Sequence, residues 1–294
     1  MAERDGYIPG VPSWIDTQHP DPEAAAVFYA QLFGWTCEDV MPADSDSPYF
    51  IARIRGRDVA GIGAIPEGAP PMAMWNTYVA VESADETATK VQAAGGKTLV
   101  EPFDVMDAGR LGVFQDPEGA VICVWQAGQH KGAGIVNEHG SLNFNNLNTR
   151  DIEGARAFYG SVFGWRTGNF NGFDAWTLPG YGDHLEAANP GLRQGVAEMG
   201  VPGFEDVVAA IVPITADQGD VPAHWSVTFA VDDAVASAEK ATELGARVIV
   251  PPFDAPYVRS TVIADPQGAT FIASQFVPEN RDIAAQADAS VGAA

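Results

Sequence analysis

Apolar residues follow two alternating spacings along this chain, and those spacings predict short strands separated by helices. From Ser13 to Thr17 the sequence is short and mixed, as expected for a half-buried strand. Ala24, Phe28 and Leu32 then fall one turn apart, which predicts a helix with one buried face. Strand-like runs return after this helix, so the first part of the chain combines both types of element.

Capping and turn residues indicate the limits of the first helix and of the hairpin after it. Asp21 and Pro22 are typical of a helix start, because aspartate accepts free N–H groups and proline fits the first helical position. Gly34 is expected to end the helix. Two short runs, 49–54 and 59–65, predict a hairpin and give the order β, α, β, β.

A second unit of the same kind follows. A strand at 77–81 precedes a helix whose first turn, with Ser83 and Glu86, has the pattern of a capping box. Glycines at 95–96 end that helix. Further strands are predicted at 98–100, 110–115 and 121–125. The last two strands are joined by Asp116-Pro117-Glu118-Gly119, which has the residue order of a type I turn.

Several sequence blocks occur twice, once in each half of the chain. The copies are Phe28-Tyr29 and Phe158-Tyr159, Phe33-Gly34-Trp35 and Phe163-Gly164-Trp165, Pro102-Phe103-Asp104 and Pro252-Phe253-Asp254, and Asp116-Pro117 and Asp265-Pro266. An internal repeat decides the architecture before any single element does. We therefore predict an α+β fold of four βαβββ modules, two in each half, with a separate hydrophobic core in each half.

Composition along the chain suggests where the two domains begin and end. The first domain is expected to cover residues 9–127 and the second 141–277, joined by a glycine-containing linker at 128–140. The stretch 166–221 is longer than its counterpart and rich in Gly and Pro, so we expect an extra loop there. The tail at 278–294 has no apolar period and is expected to be disordered.

The charge balance argues against some classes of partner. The 294 residues include 39 Asp and Glu against 16 Lys and Arg, which gives a net charge of −23. Such a surface repels phosphate backbones and anionic lipids, so we expect neither nucleic acid nor a membrane as a partner. Two cysteines, an N-terminus without a signal pattern and the lack of a long apolar run are typical of a cytoplasmic protein.

The module order and the repeated blocks resemble the vicinal oxygen chelate superfamily, which includes glyoxalase I, the bleomycin-resistance proteins and the extradiol dioxygenases. Within it, the chain is similar to tandem four-module proteins labelled hydroxylases or glyoxalase-like proteins. The resemblance implies that two modules place their curved sheets side by side as a cup around a small ligand, with helices outside. Metal-dependent members carry His, Gln or Glu on first strands and Glu on last strands, and the metal acts as a Lewis acid.

The positions that would bind a metal in that superfamily hold other residues here. They fall on Trp14, Asn76, Cys123, Phe144, Ser226 and Ile272. One thiol without imidazole partners makes a poor site, so we predict no metal and no other cofactor. The alternative is a divalent metal at a displaced site. His184 and Glu186 would be its ligands, because residues i and i+2 share one face of a strand. Asp16 and His224 are further candidates.

Strand alternation selects the side chains that we expect to line the two cups. They are Trp14, Asp16, Asn76, Tyr78 and Cys123 in the first, and Phe144, Asn146, Ser226 and Thr228 in the second. Arg110 and Arg259 occupy equivalent positions and are candidate ligands for a carboxylate or phenolate, with Arg110 facing Asp16. Alternatively, both arginines pair with nearby acids at strand ends. The Phe-Tyr and Phe-Gly-Trp blocks are expected to be structural, on helices outside the sheets.

Three functions fit these patterns. The first is a small-molecule binding protein, or a metal-independent enzyme, that holds a compact aromatic or oxygen-rich compound in one or both cups. The second is a metal-dependent lyase or oxygenase of the glyoxalase or dioxygenase type. The third is a scaffold whose acidic surface binds a protein. A monomer or a homodimer is expected, because tandem fusion removes the need for the dimer that single-domain relatives form.

Overall fold

A computed structural model describes residues 3–170 and 172–283. The first half contains β1 (Pro12–His19), α1 (Pro22–Phe33), β2 (Thr36–Asp39), β3 (Tyr49–Ile54), β4 (Arg57–Ala64), β5 (Met74–Ala80), α2 (Ala84–Ala93), β6 (Lys97–Val105), β7 (Gly109–Gln115) and β8 (Val121–Ala127). The second half contains β9 (Leu142–Thr149), α3 (Ile152–Phe163), β10 (Arg166–Phe170), β11 (Phe173–Thr177), α4 (Tyr181–Ala188), α5 (Leu192–Glu198), β12 (Val207–Pro213), β13 (His224–Ala230), α6 (Ala234–Glu243), β14 (Arg247–Ala255), β15 (Val258–Ala264) and β16 (Thr270–Phe276).

Each half forms one mixed eight-stranded sheet, with the strand orders β2-β3-β4-β1-β5-β8-β7-β6 and β10-β11-β12-β9-β13-β16-β15-β14. The two modules of a half join at the central strands, where β1 runs antiparallel to β5 and β9 to β13. The predicted α+β fold of four βαβββ modules is therefore confirmed. The sequence analysis located three strands in the first module, and the fourth is β2, at the edge of the first sheet.

Local capping follows the sequence closely at the first helix. The Asp21 side chain accepts the N–H of Ala24 at 2.9 Å, and Gly34 ends the helix in the left-handed conformation with φ of 73°. At the second helix Ser83 accepts the N–H of Glu86, and Gln126 of β8 accepts the N–H of Ala84. A side chain from the sheet thus fixes where α2 begins.

The two hydrophobic cores do not coincide with the two halves. In one core, Phe33 of α1 packs on Phe229 of β13, with ring centroids 4.9 Å apart. The other core combines Val91 of α2 with Phe158 of α3. Our expectation of a separate core in each half is wrong, because the helices turn their apolar faces toward the opposite half.

Reciprocal hydrogen bonds between the halves occur at the repeated blocks. The Tyr29 hydroxyl donates to Asp265 Oδ2 at 2.8 Å, and the Tyr159 hydroxyl donates to Asp116 Oδ2 at 2.9 Å. Each aspartate belongs to the Asp-Pro turn of the other half, and its second oxygen accepts backbone N–H groups of that turn. All four side chains are buried. We call these two contacts the Tyr–Asp pairs.

Tryptophans of the same blocks add a second symmetric set of contacts. Trp35 Nε1 donates to the carbonyl of Gly140 at 2.7 Å, and Trp165 Nε1 donates to the carbonyl of Gly10 at 2.7 Å. Both glycines lie just before the first strand of the opposite half. The blocks are structural, as expected, but they act between the halves rather than on an outer surface.

The segment predicted to be a flexible linker is packed. Ala133, Ile135 and Val136 are buried, and residue 135 forms a β-bridge with Glu3. The extra loop of the second half contains α4 and α5. Of the tail predicted to be disordered, Pro278–Asp282 forms a short 3₁₀ helix, and residues 284–294 lie outside the described residues. No helix in the described part of the chain is long and apolar enough to cross a membrane.

Replacing Tyr29 or Tyr159 by Phe should lower the free energy of unfolding by about 1–3 kcal/mol each, because a buried carboxylate loses its donor. Urea unfolding followed by far-UV circular dichroism measures this loss. The matched control is Tyr257→Phe, whose hydroxyl bonds the carbonyl of Met199 at an exposed position. A Tyr29→Phe variant as stable as this control would contradict a structural role for the Tyr–Asp pairs.

Candidate functional site

A buried carboxylate lies at the centre of the first cup. Asp16 of β1 accepts hydrogen bonds from Asn76 Nδ2 at 2.8 Å, from the Tyr78 hydroxyl at 2.7 Å and from the Tyr49 hydroxyl at 3.2 Å. Strand register brings these groups together, because Asp16 lies opposite Asn76 and Trp14 lies opposite Tyr78. Cys123 is the neighbour of Tyr78 on β8. The five predicted first-cup residues therefore lie in one region.

Tyr49 completes this group, and the sequence analysis missed it. Its ring lies across β4, where a Cβ at Gly61 would collide with the hydroxyl and a Cβ at Gly63 would lie 2.8 Å from the ring. Two glycines spaced by one residue on a strand were the available signal, because they leave one face of the strand open to a neighbouring side chain. Trp14 Nε1 donates to the same hydroxyl at 3.5 Å.

The first cup is closed by its own side chains and by the segment after β8. Trp14, Asp16, Tyr78 and Cys123 are all buried, with exposed fractions of 3–5%. The ring of His130 packs edge-on against Trp14 at a centroid distance of 4.4 Å. Binding of a ligand by these first-cup residues stays a prediction, and it would require His130 or Tyr49 to move.

The electrostatics of this cup disfavour charge. Burial raises the pKa of Asp16, although the hydrogen bonds from Asn76, Tyr78 and Tyr49 oppose that rise. Burial and the Asp16 charge raise the pKa of Tyr78 well above its ordinary value. The same two causes raise the pKa of the Cys123 thiol, so Cys123 is held as the neutral thiol rather than as a metal-binding thiolate.

The second cup has neutral polar groups at the equivalent places. Asn146 Nδ2 donates to Thr228 Oγ1 at 2.9 Å, and Asn148 Nδ2 donates to Ser226 Oγ at 3.0 Å. Strand pairing sets Asn146 opposite Ser226 and Phe144 opposite Thr228, so the four predicted second-cup residues lie in one region. The hydroxyls and amides here can each donate or accept a hydrogen bond without a change of charge.

Several side chains of the second cup are smaller than their counterparts in the first, although Ile272 is larger than its counterpart Cys123. Equivalent strand registers relate Phe144 to Trp14, Asn146 to Asp16, Ser226 to Asn76, Thr228 to Tyr78, Ser260 to Leu111 and Ser274 to Trp125. In place of two bulky side chains, Ser260 and Ser274 share a hydrogen bond of 3.1 Å. At the positions of Thr228, Ser260 and Ser274, the second half therefore has less side-chain volume than the first.

Phenylalanine rings lie around the neutral polar side chains of the second cup. Phe173 of β11 and Phe204 contact Phe144 at ring-centroid distances of 6.0 and 6.1 Å. On the opposite side, Phe253 lies across from Ser260 and is 43% exposed. Phe253 belongs to the repeated Pro-Phe-Asp block, so its recurrence was a signal that the sequence analysis did not use.

An inserted segment of the second half spans the mouth of this cup. It leaves the sheet after β11, carries α4, α5 and Phe204, and returns as β12. The Tyr257 hydroxyl at the β14–β15 turn donates to the carbonyl of Met199 at 2.9 Å, so the segment also touches the far end of the sheet. Tyr257 has φ of 65°, a left-handed conformation that is uncommon for an aromatic residue.

The two arginines do not lie in the cups as expected. Arg110 bonds Asp85 of α2 at 2.9 Å and Asp104 at 2.9 Å, which places it on the helix-bearing face of the sheet. Arg259 pairs in the same way with Asp254 at 2.7 Å. The expectation that Arg110 faces Asp16 is wrong, because the strand directs this side chain to the opposite face. The alternative, pairing with nearby acids, describes both arginines.

The displaced metal site is not formed either. His184 and Glu186 lie on α4, where residues i and i+2 diverge, and Glu186 accepts the N–H groups of Gly191 and Arg193 at the start of α5. His224 is engaged with the carbonyl of Pro222. Within the described residues, no group of three or more His, Cys, Asp and Glu side chains could hold one ion. The donors at the superfamily's metal positions, with one protonated thiol among them, do not fit a metal.

Comparison with known proteins identifies the family. The model described as the Glyoxalase/Bleomycin resistance protein/Dioxygenase superfamily matches residues 13–124, and the Glyoxalase-like domain matches residues 145–273. The chain belongs to this superfamily. A role in binding or converting a small molecule fits that membership.

Two curated relatives match nearly the whole chain. The Mycobacterium tuberculosis protein named "Putative glyoxylase CFP32" is 38% identical over 282 residues, which cover 95% of this chain and 100% of that protein. Anthracycline biosynthesis protein DnrV of Streptomyces peucetius is 32% identical over 286 residues, with 90% and 93% covered. The alignments include both halves in each case.

Solved structures share the fold at low identity. The Mn(II)-bound glyoxalase from Novosphingobium aromaticivorans has a TM-score of 0.57 at 14% identity, covering 94% of this chain and 83% of that one. The 2,3-dioxygenase LapB from Pseudomonas sp. KL28 has a TM-score of 0.59 at 14% identity, covering 92% and 93%. These matches support the fold only.

Replacing Asp16 by Asn should stabilise the protein at neutral pH by about 1–3 kcal/mol, because the variant removes a buried charge that has no cationic partner. Since the pKa of Asp16 is raised in the folded state, folding binds a proton, and stability is lost as pH rises through that pKa. The difference between variant and wild type should therefore shrink below about pH 4, near the ordinary aspartate pKa.

Urea unfolding of both proteins at pH 4 and pH 7.5 measures this difference, and Asp44→Asn at an exposed position is the matched control. A less stable Asp16→Asn variant at pH 7.5 would show that the carboxylate stabilises the fold.

Proposed function

We propose that this protein binds a compact aromatic or oxygen-rich small molecule in the second cup, without a metal. One observation carries the proposal: the second cup replaces Tyr78, Leu111 and Trp125 by threonine and two serines at matching strand positions. Smaller side chains at these positions mean that the protein itself fills less of the second cup. A small ligand is the natural occupant of a concave, partly apolar site with a few fixed polar groups.

The chemistry of the walls suits a flat, uncharged ligand. Phe144, Phe173 and Phe204 offer ring faces and edges on one side, and Phe253 offers another on the far side. Ring–ring contacts of this kind favour stacked or edge-on aromatic partners. The relative DnrV is named for anthracycline biosynthesis, and anthracyclines are flat fused-ring compounds that bear oxygen. We infer the same broad class of ligand here.

Binding is favoured over conversion in this cup. Its polar lining consists of Asn146, Ser226, Thr228, Ser260 and Ser274, and none of these side chains titrates near neutral pH. General acid–base catalysis requires a group that takes up or releases a proton. Sequestration or carriage of the ligand therefore fits these residues better than a chemical step.

A titration with 1,8-dihydroxyanthraquinone, followed by tryptophan fluorescence, tests the proposal. Thr228→Tyr and Ser274→Trp restore the larger side chains of the first cup, and each should weaken binding at least tenfold. Because Thr228 and Ser274 stand where the first cup has larger side chains, we expect neither variant to cost the ~1–3 kcal/mol typical of overpacking. EDTA should leave the wild-type affinity unchanged. Asp16→Asn, in the first cup, is the control and should bind as the wild type does.

Normal binding by both enlarged variants would place the ligand elsewhere. Loss of binding in Asp16→Asn alone would move the proposal to the first cup, and loss with EDTA would favour the metal-dependent alternative.

Removing the contact between Tyr257 and Met199 should loosen the cover of the second cup. We expect Tyr257→Phe to raise the dissociation rate of the bound probe, because the inserted segment loses its hydrogen bond to the β14–β15 turn. Stopped-flow displacement measures this rate. Gln194→Ala, on α5 of the same segment, is the control and should dissociate at the wild-type rate, because among the described residues the Gln194 side chain bonds only Glu198 of its own helix. An unchanged rate in Tyr257→Phe would mean that this bond does not hold the cover closed.

A further inference from the structure

A cavity separate from both cups lies beside the first cup, and His130 is one of the residues that line it. This cavity of about 460 Å³ is bordered by N-terminal residues, the β3–β4 turn with Asp58, the β6–β7 turn with Asp107, and residues 129–134. Its volume falls within the range of roughly 300–1,000 Å³ typical of small-molecule sites. It is distinct from the second cup, so its occupant need not be the ligand proposed above.

Backbone contacts hold the floor of this cavity in place. Ala133 N donates to the carbonyl of Ser13 at 2.8 Å, and Gly134 N donates to the carbonyl of Asp58 at 2.7 Å. Gly132 has φ of 103°, and a Cβ there would lie 2.5 Å from the Ser13 carbonyl oxygen. Glycine is needed at this position for the segment to lie so close to β1.

The Asp58 carboxylate sets the orientation of the His130 ring. Asp58 Oδ2 lies 3.4 Å from His130 Nδ1, and Arg53 Nε donates to Asp58 Oδ1 at 2.7 Å. Burial raises the pKa of Asp58, but hydrogen bonds from His130 and Arg53 outweigh it and hold that pKa below its ordinary value. A carboxylate at Nδ1 favours the tautomer with the proton on Nδ1. The lone pair is then on Nε2.

The other ring nitrogen has no protein partner. His130 Nε2 is buried and has no hydrogen-bond partner among the described residues. Buried polar atoms are nearly always hydrogen-bonded to protein, water or ligand, so such an atom indicates a missing partner. A donor group from outside the protein would satisfy it.

Lys131 lines the same cavity and carries a positive charge. Its ammonium group bonds the carbonyl of Gly128, and within the described residues no carboxylate forms an ion pair with it. Arg57 on the same cavity is instead paired with Asp5 at 2.6 Å. In a chain with a net charge of −23, an ammonium group without a carboxylate partner is a place where an anion can bind.

We propose that this cavity binds a small oxyanion that also carries a hydrogen-bond donor, with Lys131 balancing the negative charge and His130 Nε2 accepting the donated hydrogen bond. Dihydrogen phosphate and small hydroxycarboxylates share this chemistry. Asp58 is a positioning residue, because it acts on the ligand only through the tautomer of His130.

Histidine ¹⁵N–¹H correlation spectra of the full chain test the proposal, with separate titrations of inorganic phosphate and glycolate at constant ionic strength. The wild type should show His130 with its proton on Nδ1 and a shift that saturates with at least one anion. Lys131→Gln should weaken that binding at least tenfold, and Lys97→Gln on β6 is the matched control. Asp58→Asn should change the tautomer signature of His130 and weaken binding while the protein stays folded.

Saturation with phosphate alone or with glycolate alone assigns the class of anion. A His130 signal with the proton on Nε2, no saturation with either anion, or equal affinities of the Lys131→Gln and Lys97→Gln variants would each overturn the proposal.

Discussion

The two Tyr–Asp pairs are the interaction on which the rest of this structure depends. Each hydroxyl satisfies a buried aspartate in the Asp-Pro turn of the opposite half, and that aspartate also organises its own turn through backbone N–H groups. An aspartate buried at such an interface requires these donors. The helices consequently face each other between the sheets, and both cups open outward.

Symmetry at the interface contrasts with divergence in the cups. The contacts between the halves recur almost atom for atom, down to the tryptophan bonds with Gly10 and Gly140. In the cups, the first half keeps a carboxylate surrounded by tyrosines, whereas the second has amide and hydroxyl groups. The first cup is therefore filled by its own side chains, and the ligand that we propose would bind in the second.

The sequence predicts the architecture well because its signals are local or repeated. Asp21, Gly34 and the Asp-Pro turns specify their own backbone conformations, and the repeat shows that the two halves are homologous. Strand alternation also predicts which side chains of the central strands belong to each cup. Errors arise where a contact depends on distant residues. Only the folded chain shows that α1 packs on the second half.

The same reason explains the misplaced site residues. The equivalence of Arg110 and Arg259 in the repeat does not show which face of the strand they occupy, and in the fold Arg110 lies opposite Gln126 on the helix-bearing face. The strand pair predicted for His184 and Glu186 does not form, because this inserted segment is helical. Tyr49 lies on a neighbouring strand, and only the glycines of β4 indicate its position. His130 lies in the connection between the halves, where no sequence neighbour marks its role.

The central claim is that the second cup holds the ligand, and hydrogen–deuterium exchange with and without the anthraquinone probe tests it most directly. The account predicts ligand-dependent protection in β13, β16 and the inserted segment through Phe204, with unchanged exchange in residues 128–134 over the first cup. Protection at 128–134 without protection in β13 and β16 would contradict it.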